Sequence, residues 1–374
     1  MQHNDGLAAV LVAPNQFEFR SFPFPSVDAG AVITVEACGI CGTDIEQYQG
    51  AMEEDARRTP MPAIPGHEPV GRILRIDDAT SQRWGVGVGD RISARAVWGC
   101  GRCEHCLAFN PADCTSRGGT YGFTRIDRAP YLWGGFAELQ YLHPLSVVVR
   151  VPDSLDAGVA TLINPVACGL SWGWRVPSTT AGETVVILGA GQRGICCAVA
   201  AKLAGAKRVV ITGIAQDAFK LEEARRIGVD ETLVVGPDTD SVAALMDLTE
   251  GGADVIVDTT PFYNDALHVA TEVARQRARI VLAGIKGDPP ATNLRQDRIT
   301  LKELRIMGVS TAKSEDFLAA VDVLVKEIDT FAPLHTRSYG LHEVEKALTE
   351  AAGQVPGREA IHVAIEPGLD AAGK

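Results

Sequence analysis

An apolar run, Thr184-Val185-Val186-Ile187-Leu188, leads into Gly189-Ala190-Gly191-Gln192-Arg193-Gly194 and then into a segment of helical character, Gln192 to Ala204. Strand, glycine turn and helix in that order form one arm of a βαβ unit, and such units build a parallel sheet. Glycines at these positions let the backbone turn tightly and approach a pyrophosphate. The phosphate charge then meets free amides and the positive end of the helix dipole. The run therefore predicts a dinucleotide site built on Gly189, Gly191, Gln192, Arg193 and Gly194.

The flanking sequence agrees. From Ala157 onward apolar strands alternate with helical segments: Arg208 to Thr212, Leu233 to Val235, Asp254 to Asp258 and Arg279 to Ala283 read as strands. Ala218 to Ile227, Asp240 to Leu248 and Asn264 to Arg275 read as helices. An acid normally ends the second strand about 20 residues after the glycine loop, accepting from the ribose hydroxyls. Here Thr212-Gly213-Ile214 puts a glycine there. Loss of the carboxylate removes its repulsion for a 2'-phosphate, and Lys220 lies near in sequence, so NADP is open. Asp217 as a displaced ribose acceptor keeps NAD equally open, and Lys220 also reads as a solvated helix residue.

Residues 1 to about 150 have a different texture. Short strand candidates (Ala31 to Ala37, Val70 to Ile76, Arg91 to Ala96, Phe136 to Leu142) are separated by Gly and Pro turns, without helical periodicity of useful length. A barrel-like domain is expected, with two excursions, Gln47 to Pro65 and Cys100 to Cys114. After about Ser310 a helix (Ser314 to Glu327), a strand around His335 to Tyr339, a helix (Leu341 to Ala351) and a last strand, Ala360 to Ile365, are expected to return to that first domain.

Two cysteine patterns carry chemistry. Cys100-x2-Cys103-x2-Cys106-x7-Cys114 can close a tetrahedron of thiolates around zinc with no position left over, which marks a structural site. Cys38-Gly39-Ile40-Cys41-Gly42-Thr43-Asp44, followed by Gly66-His67-Glu68, offers a thiolate, an imidazole and a carboxylate on turns, ligand types that bind zinc as a Lewis acid. A redox pair of Cys38 and Cys41 is the competing reading; Cys196 and Cys197 in the glycine-loop helix read as small buried hydrophobes.

Composition narrows the partners. A formal charge of -12 and a pI near 5.2 argue against nucleic acid or an anionic membrane, both of which select basic surfaces, and so point to small molecules. The start, MQHNDGLAAVLVAP, has an acidic residue where a secretory signal carries basic ones, and no apolar run reaches the length of a membrane span. A cytoplasmic location is expected, where nine cysteines serve as metal ligands or buried thiols.

Taken in order, Cys41-Gly42-Thr43-Asp44, Gly66-His67-Glu68, the four-cysteine lobe, Trp133-Gly134-Gly135-Phe136-Ala137-Glu138 and the glycine loop resemble the zinc-dependent medium-chain alcohol and polyol dehydrogenases. The resemblance covers essentially the whole chain. It implies an α/β plus β fold: a GroES-like catalytic domain over 1–165 with the zinc lobe at 100–114, a Rossmann cofactor domain over 166–310, and a C-terminal return over 311–374. It implies one catalytic and one structural zinc, NAD or NADP as cofactor, and a homodimer or homotetramer.

Position by position, the resemblance makes Cys41 and His67 catalytic zinc ligands and Thr43 the hydroxyl that bonds the substrate oxygen and passes its proton outward. Asp44 resembles an acid behind the metal ligands, and Glu68 an acid that binds zinc or stays just behind it. Two positions depart from the family. Asn164 stands at the domain junction, where a Cys, Asp or Glu often supplies the third ligand. A neutral amide is a poor zinc ligand, so Glu68 is expected to complete the set, with Asn164 touching the metal through water; Cys168 is a further candidate. Glu46 stands near a position where many relatives carry a relay histidine, and it reads as a relay or as solvated surface. The expected reaction is hydride transfer between an alcohol or polyol, or the matching carbonyl, and NAD(P). Reduction of a conjugated double bond or iminium is the alternative on the same scaffold, and a non-catalytic dinucleotide-binding protein is the third reading.

Overall fold

The computed structural model describes residues 5–25, 28–51, 61–116, 118–287, 290–291 and 293–372. The chain divides into two compact units, one running through Asn164 and resuming at Phe317, the other spanning Pro165–Asp316.

The second unit is a six-stranded parallel sheet. Its strand order is Glu231–Val235, Arg208–Ile214, Thr184–Leu188, Ala253–Asp258, Ala274–Leu282 and Arg305–Gly308. This is the doubly wound order, and the strand sequence reverses direction between Thr184–Leu188 and Ala253–Asp258. Every residue of Thr184–Leu188 is buried, as a strand covered on both faces requires. The glycine loop leaves that strand at the switch point and opens the helix Gln192–Leu203. Against that helix packs Ile163–Gly169, whose continuation Leu170–Arg175 widens into a π-helix. A Cβ at Gly169 would lie 2.9 Å from the Cβ of Cys196, and one at Gly173 would lie 2.9 Å from the Cα of Cys197. Cys196 and Cys197 are therefore packing residues, as their apolar surroundings suggest.

In the first unit a mostly antiparallel seven-stranded sheet holds the core. Ala31–Gly39 lies at its centre, paired with Glu68–Ile76 on one side and with His362–Ile365 on the other; Leu139–Leu142 also pairs with it. His335–Tyr339 adds in parallel to His362–Ile365. The final strands thus join the sheet that carries the Cys38–Asp44 loop. A separate hairpin, Asp5–Ala13 with Gln16–Pro23, covers the sheet through buried Ala8, Ala9, Val10 and Leu11.

Several local elements differ from expectation. Gly42–Tyr48 and Asp78–Trp84 are helices of seven residues each, too short to show a periodicity. The helix expected over Asn264 to Arg275 is Ala266–Val273, because Ala274 already begins a nine-residue strand. Of the excursion Gln47 to Pro65, residues 52–60 lie outside the described residues, as do the first four residues of the chain. Trp98, Tyr121 and Trp133 are buried together in one core, the Trp133 ring stacked on both Trp98 and Tyr121. No helix among the described residues is long and apolar enough to cross a membrane.

Candidate active site and metal centres

The strand Ala31–Gly39 ends at the turn that carries Cys41, and the facing strand begins at Glu68, directly after His67. Antiparallel register pairs Gly39 with Glu68 and Cys38 with Pro69, so the two loops emerge side by side. One ligand atom from each of Cys41, His67 and Glu68 lies within 4.8 Å of the other two, and all three residues are buried. His67 Nε2 is 4.0 Å from Glu68 Oε1.

Asp44 fixes this arrangement. Its Oδ2 accepts the Cys41 amide at 2.9 Å, and its Oδ1 accepts the Gly66 amide at 3.1 Å and lies 3.2 Å from His67 Nδ1. One buried carboxylate therefore ties both loops together. Burial pushes the His67 pKa down, but the Asp44 charge and hydrogen bond outweigh it and raise it well above the ordinary histidine value. With Nδ1–H donated to Asp44, Nε2 is the nitrogen left for the ligand cluster. Thr43 Oγ1 sits 3.2 Å from Cys41 Sγ and 3.4 Å from His67 Nε2, which places its hydroxyl at the cluster itself. Phe123 packs its ring 5.6 Å from the His67 ring. A buried set of thiolate, imidazole and carboxylate suits zinc in its catalytic form, with one coordination position left open.

Cys38 takes no part in that cluster. Its thiol is fully buried against Gly66 and Gly135, and burial raises its pKa well above the usual thiol value. Glu46 lies on the short helix Gly42–Tyr48, half-buried. Asn164 is the second residue of the helix Ile163–Gly169, and Cys168 lies in the same helix with its side chain buried.

The four sulfurs of Cys100, Cys103, Cys106 and Cys114 also lie within 4.8 Å of one another. The paired strands Val97–Trp98 and Gly119–Thr120 close the base of the lobe. Backbone amides of residues 102 and 103 pull the Cys100 thiol down to about 6, whereas burial pushes Cys106 up to about 12. Four soft sulfur ligands this close together fit a structural zinc. None of the nine cysteines forms a disulfide.

In the second unit Gly189 has φ +102°, a backbone angle that side chains disfavour. A Cβ at Gly194 would overlap the Gly189 carbonyl, so the helix can approach the strand this closely only with glycine there. Gly191 caps the helix and opens onto free space, with nothing within 4 Å of where its Cβ would be. Open space above a helix N-terminus fits a pyrophosphate. Gln192 and Arg193 begin that helix, the Arg193 guanidinium lying 5.6 Å from the Trp172 ring. At the end of the next strand, a Cβ on Gly213 would come within 2.9 Å of the Asp217 Cβ. Asp217 accepts the Ile214 amide at 3.1 Å, and its other oxygen pairs with Lys220 Nζ at 2.9 Å. Sequence reasoning missed Thr259, Thr260 and Lys286. Thr259 Oγ1 donates to the Leu188 carbonyl beside the glycine loop, and Lys286 Nζ reaches both Thr260 Oγ1 at 2.7 Å and buried Asp258 at 2.9 Å. The run Asp258-Thr259-Thr260 at the carboxyl end of a central strand was the available signal.

A family model described as "Alcohol dehydrogenase GroES-like domain" matches residues 28–153, and one described as "Zinc-binding dehydrogenase" matches residues 194–326. A protein named probable alcohol dehydrogenase from Mycobacterium tuberculosis is 40% identical over 96% of this chain and 98% of its own length. The erythritol/L-threitol dehydrogenase of Mycolicibacterium smegmatis is 30% identical over 96% of this chain and 97% of its own. Among solved structures, an alcohol dehydrogenase from Thermotoga maritima superposes with a TM-score of 0.84 at 27% identity, covering 97% of this chain and 99% of that one.

Proposed function

We infer the reaction from one premise: the chain belongs to the zinc-dependent medium-chain alcohol dehydrogenase family, with a GroES-like domain and a Rossmann-like parallel sheet. It is an oxidoreductase that transfers hydride between an alcohol or polyol and NAD(P). The buried cluster of Cys41, His67 and Glu68, with the Thr43 hydroxyl on it, is the observation that carries the assignment of roles.

Cys41, His67 and Glu68 would hold the catalytic zinc, and Cys100, Cys103, Cys106 and Cys114 the structural one. When bound, the catalytic metal supplies Lewis-acid polarisation of the substrate oxygen, which brings the alcohol's pKa toward neutrality. Thr43 Oγ1 accepts the alcohol proton through a lone pair and passes its own proton outward; its place beside Cys41 Sγ and His67 Nε2 puts it within reach of an oxygen at the open position. Glu46, on the same short helix, is the candidate next carrier toward solvent. Asp44 keeps the His67 tautomer and both loop directions fixed. Asn164 is the candidate group to hydrogen-bond water at the open position.

The glycine loop at Gly189, Gly191 and Gly194 would cradle the dinucleotide pyrophosphate through backbone amides, with Gln192 and Arg193 starting the helix behind it. Asp217 and Lys220 neutralise each other beside Gly213, so the adenosine ribose meets a net-neutral pair, compatible with either NAD or NADP. The substrate is taken to be a neutral alcohol or polyol, since the acidic chain offers no bias toward anions. A cytoplasmic homodimer or homotetramer is the expected setting, and the edge strand near residues 305–310 is the candidate contact.

A panel of alcohols and polyols assayed for NADH or NADPH formation tests this reading. Oxidation of at least one class with either cofactor is expected; a protein that reduces enones with NADPH and oxidises no alcohol would contradict it.

A further inference from the structure

A third group of ligand-type side chains lies in the first unit, apart from both cysteine-containing clusters. One ligand atom each from Asp156, His335 and Glu366 falls within 4.8 Å of the others. The three are remote in sequence. Asp156 caps the helix Ala157–Ala160, accepting the Val159 amide at 3.1 Å; His335 opens a strand; Glu366 follows the last strand.

The hydrogen bonds around them fix the histidine tautomers. Thr161 has one hydroxyl hydrogen, and it goes to the Gly158 carbonyl at 2.6 Å. His362 Nε2, 3.3 Å from Thr161 Oγ1, must therefore be the donor of that pair. His362 is fully buried, and with its Nε2–H given to Thr161 the Nδ1 of the neutral ring is the accepting nitrogen. His335 Nδ1, 3.0 Å away, must then donate to it. With Nδ1 donating, the unshared pair of the neutral His335 ring lies on Nε2. The neighbour of that pair at 3.1 Å is Ser338 Oγ, whose hydrogen is directed to Glu366.

A neutral imidazole grouped with two carboxylates is a donor set for a divalent cation of the zinc class. The ring's other nitrogen donates to a fixed acceptor, which is the usual support behind a metal-bound histidine. Asp156 is exposed, while His335 and Glu366 are half-buried, so the group is reachable from solvent. We propose that Asp156, His335 and Glu366 form a divalent-cation site, separate from the two zinc centres, that ties the C-terminal strands to the helix cap at Asp156.

The test is calorimetric titration of zinc chloride into the holoenzyme, compared with Asp156→Asn and Glu366→Gln, both of which keep side-chain shape. The unaltered protein is expected to take up one more equivalent per chain than either variant, with affinity lowered about 10- to 100-fold in each, and its thermal midpoint should rise with zinc where theirs does not. Since the readout is a difference in binding, the result does not depend on turnover. If a variant fails to fold, cobalt titration of the unaltered holoenzyme decides instead. An added ion with d–d bands but no thiolate charge-transfer band is the expected species. No additional equivalent up to millimolar zinc, or an equivalent unchanged in both variants, would overturn the proposal and leave a protonated Glu366 donating to Ser338 as the explanation of the cluster.

Discussion

Asp44 accepts from Cys41, Gly66 and His67 at once, so a single side chain sets the distance between two loops. Removing it should loosen the metal cluster without touching a ligand. Asp44→Ala is expected to lower zinc affinity by about 10- to 100-fold, measured by competition with a chromophoric chelator, and Asp44→Asn should lose less because its one amide oxygen still accepts on one side, from Cys41 or from Gly66 and His67. Thr43 carries a different burden. Thr43→Val keeps the shape but not the hydroxyl, and should reduce kcat by about 10²- to 10⁴-fold while metal content and dinucleotide affinity stay unchanged; Thr43→Ser should recover most of the rate. Both residues were legible because they lie within three positions of Cys41. The His335 tautomer was not, because it depends on His362, brought beside it by strand pairing, and on Thr161, which reaches His362 by a side-chain hydrogen bond.

At the scale of elements, the glycine loop shows how sequence and packing meet. The strand Thr184–Leu188 and the helix Gln192–Leu203 were readable because a continuous apolar run and a glycine turn leave little choice. The close approach at Gly194 has an energetic consequence. Gly194→Ala places a methyl on the Gly189 carbonyl, displaces the helix N-terminus and should cost at least one charge-assisted phosphate contact, about tenfold or more in dinucleotide affinity by fluorescence titration. Other elements were hidden for physical reasons. The helices Gly42–Tyr48 and Asp78–Trp84 span two turns and are stabilised by caps rather than by an apolar stripe. The hairpin strand from Asp5 buries four consecutive residues, Ala8 to Leu11, so it carries no period-two alternation to read. The helix before Ala274 ends early because the following residues pair with Ala253–Asp258, and tertiary pairing overrides local preference.

For the whole molecule, buried neutral histidines make stability depend on pH. His143 stacks on Trp98 and accepts the Leu145 amide through Nδ1, which requires it unprotonated; burial, with help from Arg128, lowers its pKa from 6.5 to about 4. Between those values the unfolded chain binds a proton that the folded chain does not, so stability falls as pH drops through this window and is fully retained above it. His335 and His362 are shifted in the same direction and add to the fall. Thermal midpoints measured from pH 7 to pH 4 should decline, and His143→Gln should make the decline shallower; an unchanged slope would remove His143 from the account. Both units and the order of their motifs could be read from the sequence. What remained out of reach was how strands from the C-terminal end complete the sheet of the first unit, since that pairing joins residues more than 300 positions apart.

If Cys41, His67 and Glu68 hold the metal on which alcohol oxidation depends, and the glycine loop binds the cofactor independently, then removing one ligand separates the two functions. The most direct test is Cys41→Ala, assayed together for zinc content, NAD(P) binding and alcohol-dependent NAD(P)H formation. The expected result is loss of one zinc per chain and of turnover with dinucleotide affinity retained; full turnover in a Cys41→Ala protein lacking that zinc would contradict the account.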